Sequence, residues 1–84
     1  MNTYTFHHDA GHEWLSVPLS DLNSLGIANL ISEYSYKNSS HAFLEGDCDA
    51  PIFVEALEKQ KGIKVEFIFK DDGDHSPIRN YPRF

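Results

Sequence analysis

The sequence feature that most constrains the fold is the stretch over residues 46–69, where a helical apolar pattern runs directly into a strand pattern. The apolar residues of its first half share one face of an amphipathic helix: Ile52, Phe53, Ala56 and Leu57. Those of its second half alternate with mostly charged residues, as on a strand with one buried face: Ile63, Val65, Phe67 and Phe69. Gly62 is expected to end the helix. We therefore expect the helix to lie across this strand and to bury Phe67 against Phe53 or Leu57.

Upstream of this stretch, the first residues of the chain predict a β-hairpin. Apolar and polar residues alternate over residues 3–6, and a second short apolar run covers residues 13–17. Residues 9–11 between them combine aspartate and glycine, which favour a turn. Pro18 is expected to end the second strand.

The middle of the chain predicts a short helix and a second hairpin. Ser20 suits the N-cap of the helix, and Gly26 suits the left-handed position that follows its last turn. The hairpin is expected to consist of residues 33–36 and 41–45 around a polar turn. The tail, residues 78–84, contains Pro82 and directly follows Pro77, so we expect an edge strand or an extended wrap there.

This order of elements predicts an α+β fold. We expect a small two-layer structure, with a mainly antiparallel sheet of about four to five strands, one long helix packed on one face of the sheet and one short helix. The 84 residues are expected to form a single domain, residues 1–84, because a chain of this length supports one modest core.

Charge and cysteine content limit the function classes. The net charge of −6 disfavours nonspecific binding to nucleic acid or to an anionic membrane, and it permits a partner with a basic surface. Cys48 is the single cysteine, which excludes an internal disulfide and fits a reducing compartment. We find no apolar run long enough to span a bilayer and no signal-peptide pattern in the first residues, so we expect a cytoplasmic protein.

Histidines and carboxylates cluster in the first predicted turn, over residues 7–13. Imidazole and carboxylate groups are good zinc or iron ligands. In a strand, however, His7 and His8 point to opposite faces, so at most one of them joins His12. The spacing matches no metal-binding motif, and we expect no metal or cofactor there. A hairpin with surface histidines and a small metal-dependent enzyme using His7, His8 or His12 both remain open.

Cys48 lies between Asp47 and Asp49 at the expected start of the long helix. A helix N-terminus lowers the pKa of a thiol, whereas flanking carboxylates raise it. The cysteine is therefore a reactive thiol or, alternatively, a packed apolar residue between two capping aspartates. We expect no catalytic role for it.

Acidic and aromatic residues supply the candidate binding surface. Tryptophan and tyrosine are the residue types most enriched at binding hot spots, and grouped carboxylates suit a basic partner. The acidic residues do not match the spacing of a calcium loop. The predicted binding residues are Asp9, His12, Trp14, Tyr36, Glu45, Asp47 and Asp49.

Three strings of the sequence carry a family resemblance, in this order: HHDAGHEWLSVPLSDLNSLGI, ISEYSYKNSSHAFLEGDCDAPIFVEAL and IKVEF. They resemble a family of small uncharacterised accessory proteins encoded by phages, prophages and plasmids of bacteria. Members of the family have an Asp-Pro-Gly-His-Gly-Trp-Leu turn, an Ile-Ser-x-x-Ser-Tyr strand and a Leu-Glu-x-Asp-Cys-Asp-Ala helix start. The chain matches these motifs at Asp9, Gly11, His12, Trp14, Leu15, Ile31, Ser32, Ser35, Tyr36, Leu44, Glu45, Asp47, Cys48, Asp49 and Ala50. It departs from them at Ala10, where members have Pro, and at Glu13, where they have Gly.

The resemblance implies an accessory protein of a mobile genetic element that acts in the cytoplasm of a bacterial host. Together with the negative charge, it leads us to expect a non-enzymatic protein that binds a host protein with a basic surface. An inhibitor of a bacterial defence or nucleic-acid-handling system would fit this description. We expect no direct contact with nucleic acid or membrane, and a monomer or small homo-oligomer. The alternative is the small metal-dependent enzyme.

Overall fold

The computed structural model describes residues 2–84, and within them it contains one sheet, two α-helices and two short 3₁₀ helices. The strands are β1 (Asn2–His8), β2 (Glu13–Pro18), β3 (Tyr36–Lys37), β4 (His41–Glu45) and β5 (Val65–Asp71). The α-helices are α1 (Leu19–Leu25) and α2 (Ala50–Lys61). The 3₁₀ helices are Ala28–Leu30 and Pro77–Asn80. Among residues 2–84, no helix has the length and apolar character needed to cross a membrane.

The five strands lie side by side in the order β3-β4-β2-β1-β5. Strands β1, β2, β4 and β3 form antiparallel pairs, as expected for successive hairpins. Strand β5 follows the long helix and returns parallel to β1, with Phe67 beside Tyr4 and Phe69 beside Phe6. The predicted α+β fold with a mostly antiparallel sheet and one long helix is confirmed, and the parallel pair places β5 at the edge.

The main core lies between the sheet and the two helices. Alternation along the strands turns one set of apolar side chains toward the helices: Tyr4, Leu15, Val17, Ala42 and Leu44. The helical layer meets them with Leu22, Leu25, Ile27, Ala50, Phe53 and Leu57. Of the predicted apolar face of α2, Phe53 and Leu57 are buried, and Ile52 and Ala56 are partly buried against the same core.

A second, smaller core lies on the opposite face of the sheet. Trp14 and Phe43 point there, because they alternate with the residues that face the helices. Ile78, in the 3₁₀ helix Pro77–Asn80, packs against them and is buried, and Tyr36 and Tyr81 close the cluster. The tail therefore wraps across the sheet as a third layer, and a single bridge joins it to β3.

Two predicted boundaries are wrong. Helix α1 starts at Leu19 and is preceded by Pro18 at its N-cap, not by Ser20, because β2 runs directly into the helix and the N–H of Leu19 bonds to Ser40 O. Strand β3 is only two residues long, because residues 32–35 form a turn in which the N–H of Ser35 bonds to Ser32 O.

The glycine stops of both α-helices are confirmed. Gly26 has φ of 71° and Gly62 has φ of 63°, which is the left-handed region that glycine enters without steric cost.

The predicted position of Phe67 is also wrong. Phe67 is 37% exposed, and its ring contacts Phe6 at 5.1 Å between centroids. Phe53 instead meets Tyr4 edge-on at 5.1 Å. The reason is topological: β5 pairs with the outer side of β1, so the neighbouring strand supplies the aromatic ring beneath α2.

This packing predicts unequal costs for truncating the two phenylalanines. Phe53→Ala is expected to lower the free energy of unfolding by about 3–5 kcal/mol, because Phe53 is fully buried in the main core. Phe67→Ala should cost much less, since its ring already contacts solvent. Urea denaturation followed by circular dichroism measures both. A larger loss for Phe67→Ala than for Phe53→Ala would contradict the packing.

Candidate binding groove

A groove of about 370 Å³ opens on the face of the sheet that carries the second core. Its lining residues are His12, Trp14, Tyr34, Tyr36, Glu45, Asp47, Cys48, Arg79 and Arg83. We call this the aromatic groove. Five of the predicted binding residues line it, namely His12, Trp14, Tyr36, Glu45 and Asp47. The other two, Asp9 and Asp49, do not line it and are buried carboxylates.

Asp9 organises the turn between β1 and β2. Its Oδ1 accepts hydrogen bonds from the backbone N–H groups of Gly11 at 2.9 Å and His12 at 3.0 Å, which is the usual way in which aspartate stabilises a tight turn. Its Oδ2 accepts the N–H of Ser76 at 2.9 Å. Arg79 completes the set with Nε at 2.6 Å from Oδ2 and Nη2 at 2.9 Å from Oδ1. One carboxylate therefore joins the first turn to the C-terminal tail.

The Asp9–Arg79 pair is electrostatically strong on both sides. The Arg79 guanidinium holds the pKa of Asp9 far below its ordinary value, and the backbone N–H bonds act in the same direction against the effect of burial. Asp9 in turn raises the pKa of Arg79. A side chain at Gly11 would bring a Cβ within 3.1 Å of Arg79 Nη2, so glycine permits this close approach.

Arg79 also positions the aromatic wall of the groove. Its guanidinium carbon lies 5.1 Å from the centre of the Trp14 ring, within the range of a cation–π contact. Tyr36 meets the same indole edge-on at 6.1 Å, and His12 lies 6.0 Å from it. Trp14 is almost fully buried by these neighbours, so it forms the base of the groove and Tyr36 and His12 stand beside it.

The acidic side of the groove is formed where β4 turns into α2. The Glu45 carboxylate accepts the backbone N–H groups of Asp47 at 3.2 Å and Cys48 at 2.9 Å. Asp47 is exposed. Neither carboxylate forms an ion pair with a lysine or arginine among residues 2–84. Glu45 is only 8% exposed and accepts a hydrogen bond at each oxygen, so the exposed carboxylate of Asp47 is the one open to an incoming group.

Asp49 holds the neighbouring loop and does not cap the helix. It occupies the N-cap position of α2, but its side chain makes no cap bond. Its Oδ2 accepts bonds from Ser32 N at 3.1 Å, Ser32 Oγ at 2.7 Å and Ser35 Oγ. Ser35 Oγ also accepts the N–H of Glu45 at 2.9 Å. The Ile-Ser-x-x-Ser-Tyr and Leu-Glu-x-Asp-Cys-Asp-Ala strings thus bond to each other in the fold.

Cys48 is exposed in the groove, but its surroundings disfavour the thiolate. A hydrogen bond to Glu45 raises the pKa of the thiol most, and partial desolvation and the charges of Glu45, Asp49 and Asp47 add to this effect. The neighbouring carboxylates therefore set the direction of the pKa shift of Cys48.

Sequence patterns do not predict two arginines of the groove. Arg79 and Arg83 lie in a tail whose local pattern gives no sign of the face that it covers. The guanidinium carbon of Arg83 lies 5.6 Å from the centre of the Tyr36 ring, and its Nη1 donates to Glu33 O at 3.2 Å. The one weak sign in the sequence that Arg79 and Arg83 lie on the same side of the tail is their spacing of four residues.

The histidines of the first hairpin do not converge. His7 faces the second core, with its ring near Phe43 and its Nδ1 3.3 Å from Asp72 Oδ2, whereas His8 points to the opposite face as the strand alternation predicts. Burial alone would raise the pKa of Asp72, but hydrogen bonds from Ser76 and His7 lower it overall. Within residues 2–84, no group of three or more His, Cys, Asp or Glu side chains is arranged to hold a metal ion.

Comparison of the chain with protein-family models, with curated proteins and with solved structures found no match. Functional inference for the groove therefore rests on its geometry and on the sequence motifs.

The buried carboxylate predicts a large stability effect. Asp9→Asn should lower the free energy of unfolding by about 3–5 kcal/mol, because the change leaves Arg79 without its charge partner and turns an amide N–H₂ toward N–H donors. Urea denaturation at neutral pH measures the loss. Glu55→Gln is the control, since it removes an exposed ion pair with Lys59 and should change stability little. Similar small losses of unfolding free energy for Asp9→Asn and Glu55→Gln would contradict the structural role of the Asp9 carboxylate.

The same variant has a pH signature with a defined sign. Because the pKa of Asp9 in the folded chain lies below its ordinary value of 3.8, the carboxylate contributes its full stabilisation above that value. The contribution is lost as the pH falls through the folded-state pKa. The stability difference between wild type and Asp9→Asn should therefore be constant near neutrality and shrink below pH 3.8.

The raised pKa of Cys48 predicts a slow thiol. Alkylation by iodoacetamide at neutral pH should be slower than for a cysteine in an unstructured peptide, despite the exposure of the side chain. Glu45→Gln should lower the pKa of the thiol and speed the reaction more than Asp47→Asn does, because Glu45 is the main cause of the shift. Rates measured against pH test this order, and a faster reaction for Asp47→Asn would contradict it.

Proposed function

We propose that this chain is a non-enzymatic binding protein whose aromatic groove receives a basic segment of another protein. The observation that carries the proposal is the exposed carboxylate of Asp47, which lies with the buried Glu45 beside an exposed aromatic surface. Among residues 2–84, neither carboxylate has a cationic partner. Tyr34 contributes most to that surface, with 60% of its side chain exposed. Carboxylates beside tyrosine rings attract a lysine or arginine both by charge and by cation–π contact.

The surroundings of the two arginines in the groove support a basic incoming segment over an acidic one. The charge of Arg79 is already matched by the buried Asp9, and Arg83 bonds to a backbone carbonyl and stacks on Tyr36. In contrast, no carboxylate of the groove has a cationic partner among residues 2–84: Glu45 bonds to two backbone N–H groups and to the Cys48 thiol, and Asp47 is exposed. An incoming cation therefore meets the exposed Asp47 carboxylate, whereas an incoming anion competes with Asp9 for Arg79 and with the Glu33 carbonyl for Arg83.

The groove is also held in place before binding. Asp9 fixes Arg79 against Trp14, and the bonds of Asp49 to Ser32 and Ser35 hold the segment that leads to Tyr34. Side chains that are ordered in the free protein lose less conformational entropy on binding. An ordered aromatic wall beside the exposed Asp47 carboxylate suits recognition of a defined segment better than a broad, adaptable contact.

The partner class follows from charge and from the family resemblance. A net charge of −6 speeds encounter with a basic surface and opposes direct contact with nucleic acid. The resemblance to accessory proteins of phages, prophages and plasmids suggests a partner in the cytoplasm of the bacterial host. We propose inhibition of a defence or nucleic-acid-handling protein, because such proteins carry basic surfaces. The separated histidines give the alternative of a metal-dependent enzyme no supporting contact.

The double variant Glu45→Gln with Asp47→Asn tests the groove. It keeps side-chain shape and removes two charges, so it should slow association with a captured host partner. Because Glu45→Gln turns an amide N–H₂ toward one of the N–H groups that Glu45 accepts, circular dichroism and urea denaturation establish that the variant is folded before rates are compared. The difference should fade as salt shortens the screening length from roughly 10 Å at 0.1 M to roughly 3 Å at 1 M. Association rates at low and high salt, measured by surface plasmon resonance, give the result.

A matched control removes the same charge elsewhere. Glu55→Gln with Glu58→Gln changes two exposed carboxylates of α2 that do not line the groove. It should slow association less than the groove variant does. Equal rates for the groove variant and wild type at low salt would reject this surface, and a partner that binds through an acidic surface would reject the electrostatic basis.

A further inference from the structure

Strand β5 ends the sheet with an apolar edge. It is the last strand in the order β3-β4-β2-β1-β5, and among residues 2–84 no strand pairs with its outer side. Its central residues are unusually exposed for their type, with Phe67 at 37%, Ile68 at 56% and Phe69 at 65%. A seven-residue edge strand whose three central residues are apolar and exposed readily pairs with another strand, and monomeric proteins usually protect such an edge.

The backbone groups on the free edge can be assigned. Asp72 donates its N–H to His8 O at 2.7 Å, so the backbone of residue 72 faces β1. Backbone direction alternates along a strand, which places the N–H and C=O groups of Val65, Phe67 and Phe69 on the outer side. These groups are the ones that a new strand would bond.

The charge pattern of β5 is complementary to itself. Glu66 precedes Ile68 by two residues and Lys70 follows it by two. In an antiparallel pair of two copies centred on Ile68, Glu66 of each copy lies opposite Lys70 of the other. Phe67 of each copy lies opposite Phe69 of the other, and these are residues with outward backbone groups. Opposite charges at directly facing positions stabilise a strand pair.

We propose that the protein forms a homodimer through antiparallel pairing of β5 with β5 of a second copy, centred on Ile68. The contact has two-fold symmetry, so it closes after two copies and leaves no further apolar edge at this end of the sheet. The two sheets join into one, with α2 of both copies on the same side. The rings of Phe6, Phe67 and Phe69, which already contact one another at 5.1–6.5 Å, meet those of the second copy.

Neighbouring registers are less favourable. Centring on Phe67 puts Lys64 opposite Lys70, and centring on Phe69 puts Glu66 opposite Asp72, so both place like charges together. A register shifted by one residue turns the helix layers of the two copies to opposite faces and separates the aromatic rings. The aromatic groove uses β2, β3 and the start of α2, away from this edge, so the dimer presents two open grooves.

Charge reversal tests both the partner and the register. Wild type should sediment at twice the chain mass of 9.6 kDa in analytical ultracentrifugation. Glu66→Lys and Lys70→Glu should each raise the dissociation constant at least about tenfold, because two facing pairs become repulsive. The double variant restores both pairs and should dimerise like wild type. Mixing the two single variants should yield a mixed dimer, since each supplies the charges that the other lacks.

Cysteine cross-linking provides a second test that does not depend on charge. Facing residues of a pair without direct hydrogen bonds have Cα atoms about 4.5 Å apart, within disulfide range. In a Cys48→Ser background, Ile68→Cys should therefore form a covalent dimer under mild oxidation. Glu66→Cys should not form one. In the proposed pairing, residue 66 of one copy faces residue 70 of the other, so the two cysteines lie several residues apart along the strands. Non-reducing electrophoresis separates the products.

The control for net charge is Glu58→Lys, an exposed position of α2 with the same change of charge, and it should leave the dimer intact. A wild-type monomer at every concentration from micromolar to millimolar would overturn the proposal. So would a dimer that is insensitive to the charge reversals, or cross-linking of Glu66→Cys as efficient as that of Ile68→Cys. Circular dichroism of each variant identifies any loss of fold.

Discussion

The buried carboxylate of Asp9 is the interaction on which the rest of this structure depends. It receives two N–H groups of its own turn, one from Ser76 and two from the guanidinium of Arg79. The turn and the tail that it joins are separated by almost the whole chain. A charge in this position is stable only when it is fully paired, so the contact also requires the tail to take one course across the sheet. The second core and the aromatic groove both follow from that course.

A second carboxylate repeats this principle at the start of α2. Asp49 is a candidate cap by its position, but its oxygen bonds to Ser32 and Ser35 and so fixes the loop that ends at Tyr36. The four acidic residues therefore have different roles. Asp9 and Asp49 are buried and hold the scaffold, the buried Glu45 lines the groove and bonds the start of α2, and Asp47 is exposed in the groove.

The two ends of the sheet differ in how they are covered. At the β3 end, the tail packs on Trp14 and Phe43 and leaves the aromatic groove, which Glu45 and Asp47 help to line. At the β5 end, neither the tail nor α2 covers Phe67 and Phe69. A chain of this length has too little surface to bury both faces and both edges. The exposed end is where we propose the contact with a second copy, and the groove is where we propose a different partner.

The sequence by itself determined the local elements. The stripe of apolar residues in α2, the alternation in β5 and the two left-handed glycines depend on neighbours a few residues apart, so they are readable directly from the chain. Residue type likewise indicated Trp14, Tyr36 and Glu45. Only the tertiary structure decided that β5 pairs with β1, that Tyr4 and not Phe67 meets Phe53, and that Arg79 reaches Asp9. Periodicity states which face a residue occupies, but the neighbour across that face is set by contacts up to 70 residues away, and no local pattern encodes them.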